Sequence, residues 1–435
     1  MLLAVFHRPI FFQGTRYFLL RAAKQQHLAL DYEMSGSIFT TLSVVNLKAT
    51  PTEPGPIRRL DIGTLSLRYS LIDLIRDGLP AFLKELDARD VFLELTPDES
   101  LPPEKERQPQ EFKFPALFPE LLNLENINVV IHNPEGDTVL EGGELRLLPD
   151  RPGALKIRTL DIPGVRRWTD LSASTTFRDR NLRLTDLRVG REIALRVFNL
   201  DLTDLGNNEL RIGLDGTFFD APIEAAATVT DLNRSNHLRG HARVDRLDFE
   251  PFWKYFNLPP PFLGRVEELQ VDFDGVPNRP RGWTGELRAR VADWRIENQR
   301  VGDAEVSAVL KEGTAVVSGT NRFDDRNTLT LSARGELPEN LDGFAQMKAE
   351  GQLVLNVPEA ERLTFFMPEV VIGELSGKTN FTMADGRLKT VSELVSRELS
   401  TSQVDLWGAQ LTLEAEKDLT VPEGAPAFRG LATRL

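Results

Sequence analysis

What most constrains this chain is a period of two. From Ser35 onward apolar and charged residues alternate in short segments that recur about every ten residues. Leu182, Leu184, Leu187 and Val189 form one segment, and Ile193, Leu195, Val197 and Leu200 form the next. Leu210, Ile212 and Leu214, then Leu269, Val271 and Phe273, then Leu287, Ala289 and Val291 continue the series. Val306, Ala308 and Leu310, then Leu329, Leu331 and Ala333, follow. Successive side chains of a strand point to opposite faces, so each segment carries one apolar and one charged face. The pattern predicts a mostly β fold, an elongated antiparallel sheet with short helices where the period changes.

The period first changes between Arg58 and Leu95. Leu60, Ile62, Leu65, Leu67 and Tyr69 alternate with polar residues, with one phase slip at Gly63-Thr64 that predicts a bulge. Ser70 followed by Asp73 is a helix-start signal. Leu71, Leu74, Ile75, Leu79, Phe82, Leu83 and Leu86 then fall on one helical face. Gly78 and Pro80 divide that stretch into two predicted helices, 71–77 and 80–86. Val91, Leu93 and Leu95 resume the alternation, so the helical piece is an insertion between strands. Two later insertions have the same form. Asp248, Pro251 and the aromatic run Phe252, Trp253, Tyr255 and Phe256 predict a helix near 249–257. Asn356, Pro358, Leu363, Phe365 and Phe366 predict another near 358–366. Asp98 to Lys113 is rich in Pro, Glu, Lys and Gln and reads as a solvated loop; Leu117 to Leu124 is compatible with a helical turn, and 387–399 is ambiguous between strand and helix.

These punctuation marks suggest three regions: 1–34 as a membrane-proximal helical segment, 35–114 as a strand-helix-strand unit with a flexible loop at 98–113, and 115–435 as a continuing run of strands, which the resemblance described below makes the cap and body of a groove. Met1 to Phe6 is wholly apolar, and Arg16, Arg21 and Lys24 follow a second apolar cluster. A signal peptide carries its basic residues before the apolar stretch, so the order here reads as the truncated end of a membrane anchor. A partly buried amphipathic helix is the other reading. No run reaches the roughly 18 apolar residues of a membrane-spanning helix.

A net charge of −13 argues against nucleic acid as partner, since phosphate binding needs a basic surface. With no cysteine there is no disulfide framework and no thiolate metal site. His237 and His241 are four apart, but Gly240 and the flanking alternation place them on a strand, where that spacing builds no metal pair. Asp272, Asp274 and Gly275 resemble the opening of a calcium loop without its closing acid. Nucleophile elbow, P-loop and dinucleotide fingerprint are all absent, so no enzyme class, cofactor or metal is indicated. The aromatic sets at 252–256 and 365–366 read as packing faces of helices on a sheet, with lipid contact the rarer alternative.

His7-Arg8-Pro9 after an apolar stretch, Ser35-Gly36-Ser37 entering a strand, Leu60 to Ser70, the helices from Leu71 and Val91 to Leu95 together resemble the N-terminal portion of the AsmA-like superfamily, which includes AsmA and TamB. The later glycine-strand-helix units resemble the interior of the same proteins. The resemblance implies a sheet curved into a hydrophobic groove, anchored in the inner membrane of a Gram-negative envelope and standing in the periplasm. It further implies phospholipid as cargo between inner and outer membrane, and leaves open an outer-membrane protein as partner. Two departures stand out: no complete membrane helix precedes the body, and the chain stops inside a strand pattern at Arg429-Gly430-Leu431.

About 20 strands stacked at about 4.8 Å would make a sheet about 100 Å long, with an apolar face that something must cover. Leu65, Leu67, Tyr69, Val91, Leu93, Leu95, Ile193, Leu195, Val197, Leu269, Val271 and Phe273 share the apolar phase of their strands and are expected to line the lipid groove. The rival is a structural or adhesive β-rich envelope protein whose apolar faces pack into a dry core.

Overall fold

The structure is a computed structural model. It describes residues 27–96 apart from 38, 39 and 54, then 118–133, 136–232, 235–256, 262–296, 299–360, 372–400, 405–419 and 431–434, and the single residues 16, 20, 21, 23, 24, 258 and 260. The chain divides into two compact units, Met1–Thr217 and Phe218–Leu435. Both are mostly β, as the alternation predicts.

In the first unit ten strands pair in chain order. They are β1 Leu28–Ser37, β2 Thr41–Pro51, β3 Ile57–Tyr69, β4 Leu83–Leu95, β5 Leu121–Asn133, β6 Gly136–Leu147, β7 Gly153–Ile162, β8 Arg166–Arg178, β9 Asn181–Val189 and β10 Ile193–Asp201. β11, Leu210–Phe218, ends where the units divide. Strand therefore begins at Leu28, inside the stretch expected to be helical. One pair departs from the antiparallel rule: β4 and β5 run parallel, Leu86 opposite Leu122 and Leu95 opposite Ile131. The long link from Leu95 to Leu121 permits this, because parallel neighbours need a crossover of a dozen residues or more. Where links are short, the backbone takes hairpin turns. Asp179 and Arg180 join β8 to β9 with φ of 50° and 61°, the twist that suits two adjoining strands. Leu121 to Leu124 are strand and not a helical turn.

The helix over 71–77 is present as α1, Leu71–Asp77, with Ser70 Oγ accepting from the Asp73 amide. The predicted helix over 80–86 is not. Gly78, at φ 84°, is followed by one 3-10 turn at Leu79–Ala81, and β4 already begins at Leu83. Pairing of Leu83 with Tyr69 and of Leu86 with Leu67 satisfies that backbone in the sheet instead.

A row of left-handed residues crosses the first unit. Asn46, Asp90, Asn126, Asp170 and Asp186 have φ between 52° and 57°, and Gly142 has φ 62°. Asn and Asp tolerate this region because their short polar side chains bond locally. By register Asn46 lies opposite Gly63, Gly63 opposite Asp90, and Asp90 opposite Asn126. Asn126 Nδ2 donates to Asp90 Oδ1 at 2.7 Å, and the Gly142 amide donates to Asn128 Oδ1 at 3.0 Å. At each crossing the same-face spacing is three residues instead of two: Val44 and Leu47, Ile62 and Leu65, Ala88 and Val91, Leu124 and Ile127. The slip at Gly63-Thr64 is one member of this seam. It leaves no register shift with its neighbours because they slip at the same level. Gly63 must be glycine, since a Cβ there would sit 2.9 Å from Asp90 Cβ. Asp90→Gly should therefore stay within about 1 kcal/mol of the parent, whereas Asp90→Val should lose about 1–2 kcal/mol. Equal urea midpoints for the two variants would show that the seam makes no backbone demand.

The second unit pairs β12 Ala221–Thr230, β13 His237–Asp248, β14 Leu263–Gly275, β15 Thr284–Ile296, β16 Gln299–Lys311, β17 Thr314–Arg322, β18 Thr328–Glu336 and β19 Ala349–Val357 in order, all antiparallel. β20, Ile372–Gly373, pairs with β22, Arg387–Ser400, while β21, Leu375–Ala384, joins β19 to β22. β23, Asp405–Asp418, and β24, Leu431–Arg434, complete the ladder. The ambiguous stretch 387–399 is thus strand. The same phase device recurs, with Arg246 at φ 56° and Asp293 at φ 49°. The predicted helix near 249–257 is α2, Phe249–Tyr255, and the one near 358–366 lies mostly outside the described residues.

Large side chains fill the gaps over glycines in this unit. A Cβ at Gly351 would meet the Phe381 ring at 2.3 Å, and one at Gly335 the Met347 Cε at 2.4 Å. Hydrophobic cores are local. Val44, Leu47 and Ala49 are buried with Leu28, Leu30, Tyr32, Met34, Leu60, Ile62 and Leu65 around them. Ala221, Leu247 and Val266 are buried beside Phe218, Phe219, Val244, Phe249, Leu269 and Val291.

Candidate functional site

The candidate site is the apolar face of each unit, and cross-strand register shows which residues share it. Val44, Leu65, Ala88, Leu124, Leu145, Leu155 and Ala173 lie opposite one another from β2 to β8. Leu67 and Leu86 form the adjoining pair, Tyr69 faces Leu83, and Leu93 and Leu95 face Leu60 and Ile57. Of the expected lining residues, Leu65, Leu67, Tyr69, Val91, Leu93 and Leu95 therefore stand on one face. Ile193 and Leu195 join it through Val189 and Leu187.

Val197 does not. It lies opposite Thr185, which in turn faces Ser174, among Arg183, Asp186, Arg196 and Asp215 on the charged side. The left-handed Asp186 shifts the phase of β9, and β10 follows it at Arg196, so Phe198 opposite Leu184 takes the apolar place. Spacing alone reads 193, 195 and 197 as one face. The triplet 195, 198, 200 is the signal that corrects it.

In the second unit Leu269, Val271 and Phe273 face Val244, Ala242 and Gly240 on β13, and Ala289, Leu287 and Gly285 on β15. The face continues through Val306 and Gly319 to Leu331 and Leu353. It becomes hydroxyl-lined at β21 and β22, where Thr379 Oγ1 donates to Ser392 Oγ at 2.9 Å.

Burial is the informative quantity. Of the twelve residues expected in the lining, Tyr69 is buried at 8% exposure and the rest are half-buried. A core sealed by a second sheet would bury such residues almost completely. Val306, on the same face as Leu269, is 37% exposed.

The opposite face is charged and self-paired. Arg89 bonds Asp87 at 2.8 Å and Arg146 bonds Glu125 at 2.8 Å; Arg290 bonds Glu268 at 2.6 Å and Arg196 bonds Asp215 at 2.7 Å. Hydrogen bonding from Arg89 holds the Asp87 carboxyl below its usual range, against some desolvation. Exposed pairs of this kind contribute about 0–1 kcal/mol each, and their effect is to keep that face wet. His237 sits here, its Nε2 hydrogen-bonded to Asp274 Oδ1, and Arg239 shares the same carboxylate.

No protein-family model, characterised protein or solved structure matches this chain. The geometry alone therefore says what the face can do.

His132 on β5 holds three strands together at the edge of the charged side. Its Nε2 meets Glu94 Oε1 of β4, and its Nδ1 meets Asp137 Oδ1 of β6, both at 2.9 Å. Glu94 first and Asp137 second raise the imidazole pKa above its ordinary value. A raised folded-state value means the stabilisation is complete below about pH 6.5 and is lost as pH rises through the folded pKa. The difference in urea midpoint between the parent and His132→Gln should accordingly be largest near pH 6 and shrink toward pH 8. A difference that grows with pH would rule the clasp out.

The aromatic set around α2 packs rather than lines. Phe249, Phe252, Trp253, Tyr255 and Phe262 stack on one another and on Phe218 and Phe219, and Trp253 Nε1 donates to the Phe262 carbonyl at 2.8 Å. The set at 365–366 lies outside the described residues. Among those residues no helix is long and apolar enough to cross a membrane.

Proposed function

We propose that this protein is a non-enzymatic hydrophobic conduit that binds phospholipid acyl chains along the apolar face of its sheet. It would carry them between the inner and outer membranes of a cell envelope from a periplasmic, inner-membrane-anchored position. The observation that supports this reading is the incomplete burial of much of the face: Leu65, Leu67, Leu93, Leu195, Leu269 and Val271 stay half-buried, although Val44, Leu147, Leu171 and Leu184 on it are buried. Continuous apolar surface of this kind marks a binding site, because soluble proteins seldom leave more than several hundred Å² of it exposed. An acyl chain suits it, being apolar along its length and needing no hydrogen bonds. The resemblance to the AsmA-like superfamily points the same way, and with it to an inner-membrane anchor and an outer-membrane partner. Mass spectrometry of an organic extract of the purified protein tests the proposal. Phospholipid at one or more molecules per chain is expected; an extract free of lipid from native, detergent-free protein would favour the dry structural rival.

A further inference from the structure

The apolar face of the second unit changes character along one register row. Val306, Gly319, Leu331, Leu353, Thr379 and Ser392 lie opposite one another in turn from β16 to β22. The row is aliphatic at one end and carries two hydroxyls at the other. One position in it has no side chain.

Neither the backbone nor the packing requires glycine at Gly319. Its φ lies outside the left-handed region, its strand is in regular register with both neighbours, and a Cβ there would meet nothing nearer than the Glu305 carbonyl at 3.4 Å, an ordinary contact. Other glycines of the unit differ. Gly335, Gly351 and Gly377 lie under the side chains of Met347, Phe381 and Leu394, and Gly264 and Gly302 have φ of 143° and 139°. Among the described strand glycines of this unit, Gly319 alone has neither a positive φ nor an atom that a Cβ would approach closer than 3.0 Å. Glycine inside a strand lowers stability, and it marks places where a ligand approaches closely. The notch at Gly319, beside Val306 at 37% exposure, is space that no side chain of the sheet fills.

The hydroxyl end of the row is a separate observation. Thr379 and Ser392 are half-buried on the apolar face, and Thr379 Oγ1 donates to Ser392 Oγ at 2.9 Å. A hydroxyl is both donor and acceptor, so Ser392 keeps its own proton for an acceptor beyond the sheet. Distance joins the two features. Thr379 stands three strands from Gly319, about 14 Å at about 4.8 Å per strand. The hydrocarbon core of a bilayer is about 30 Å across, so one acyl chain reaches about 15 Å.

We propose that this row is a resting site for one ester-linked acyl chain, its ester carbonyl accepting from Ser392 beside Thr379 and its methyl end in the Gly319 notch. This rests on the lipid-binding reading above and gives the bound chain a direction and a register. A pure hydrocarbon leaves the hydroxyl pair unused, and a wholly polar ligand has no use for Leu331 and Leu353. An amphiphile of one acyl chain's length matches both ends.

The experiment loads the full chain with phosphatidylcholine that carries a photoreactive diazirine either at the methyl end of one acyl chain or next to its ester, and maps the labelled peptides by mass spectrometry. The methyl-end probe is expected on β16 to β18 around Gly319, and the ester-end probe on β21 and β22. Equal or reversed labelling in protein that carries lipid overturns the proposal and leaves the conduit standing; a protein that takes up neither probe overturns both. Gly319→Val should raise the melting temperature by about 1–3 °C, because a β-branched residue replaces a strand glycine, and should cut methyl-end labelling of β16 to β18 on the order of fivefold or more. A glycine with only a structural role predicts the reverse, a lower melting temperature with unchanged labelling, and that result overturns the notch. The hydroxyl end is read by comparing ester-linked with ether-linked phosphatidylcholine, which lacks the carbonyl. The parent should favour the ester about fivefold, and Thr379→Val with Ser392→Ala should show no preference. Equal binding of the two lipids by the parent overturns the proposal.

Discussion

Leu195→Asp and Val271→Asp should each abolish phospholipid transfer while lowering stability by no more than about 1–3 kcal/mol. Both side chains are half-buried on the apolar face, Leu195 opposite Leu187 and Val271 between Ala242 and Leu287. In the unloaded protein a carboxylate there keeps access to water, so its cost to folding is modest. A passing acyl chain would strip that water away, leaving an unpaired charge against hydrocarbon, and this is what blocks passage. The matching controls are Val197→Asp, Arg196→Ala and Asp272→Ala, all on the charged side, which should transfer lipid as the parent does. Transfer between donor and acceptor vesicles, measured beside thermal melting for each variant, separates the effects. If Leu195→Asp and Val271→Asp instead unfold the protein and leave no folded fraction to assay, the face is a dry core.

Val44→Asp should behave in the opposite way. Val44 is 3% exposed in the cluster with Leu47 and Ala49, where Leu65, Leu30 and Met34 close around it. The side chain is almost fully enclosed there, so the same chemical change buries an uncompensated charge and should cost about 3–5 kcal/mol. The variant is expected to lose cooperative unfolding of the first unit, with loss of its strand signal at 25 °C. A Val44→Asp protein as stable as Leu195→Asp would mean that burial in this unit does not distinguish a packed position from an open one.

The β architecture was legible because alternation is a local signal. So were Ser70 as a helix cap and the aromatic helix after Asp248, since capping and period depend on neighbours in sequence. The seam was not, although one of its members, the slip at Gly63-Thr64, was. A left-handed Asn or Asp in one strand obliges the strands beside it to shift phase at the same level, and that coupling runs across the sheet rather than along the chain. Val197 was misplaced for this reason: Asp186 on the neighbouring strand sets the phase that Arg196 follows. The parallel pairing of β4 with β5 is permitted by the length of the stretch between them but not encoded in its composition. The missing second helix reflects competition. Leu83 and Leu86 fit a helical face, but the strand partners Tyr69 and Leu67 were available to them.

The most direct test of lipid carriage along the apolar face is site-specific photocrosslinking. A photoreactive phenylalanine analogue placed in turn at Leu67, Leu195, Val271, Val197 and Arg196 reports what each position touches in protein purified from cells. Crosslinks to phospholipid at 67, 195 and 271 and none at 197 and 196 are the expected result. Equal labelling of both faces, or labelling of neither, would contradict it.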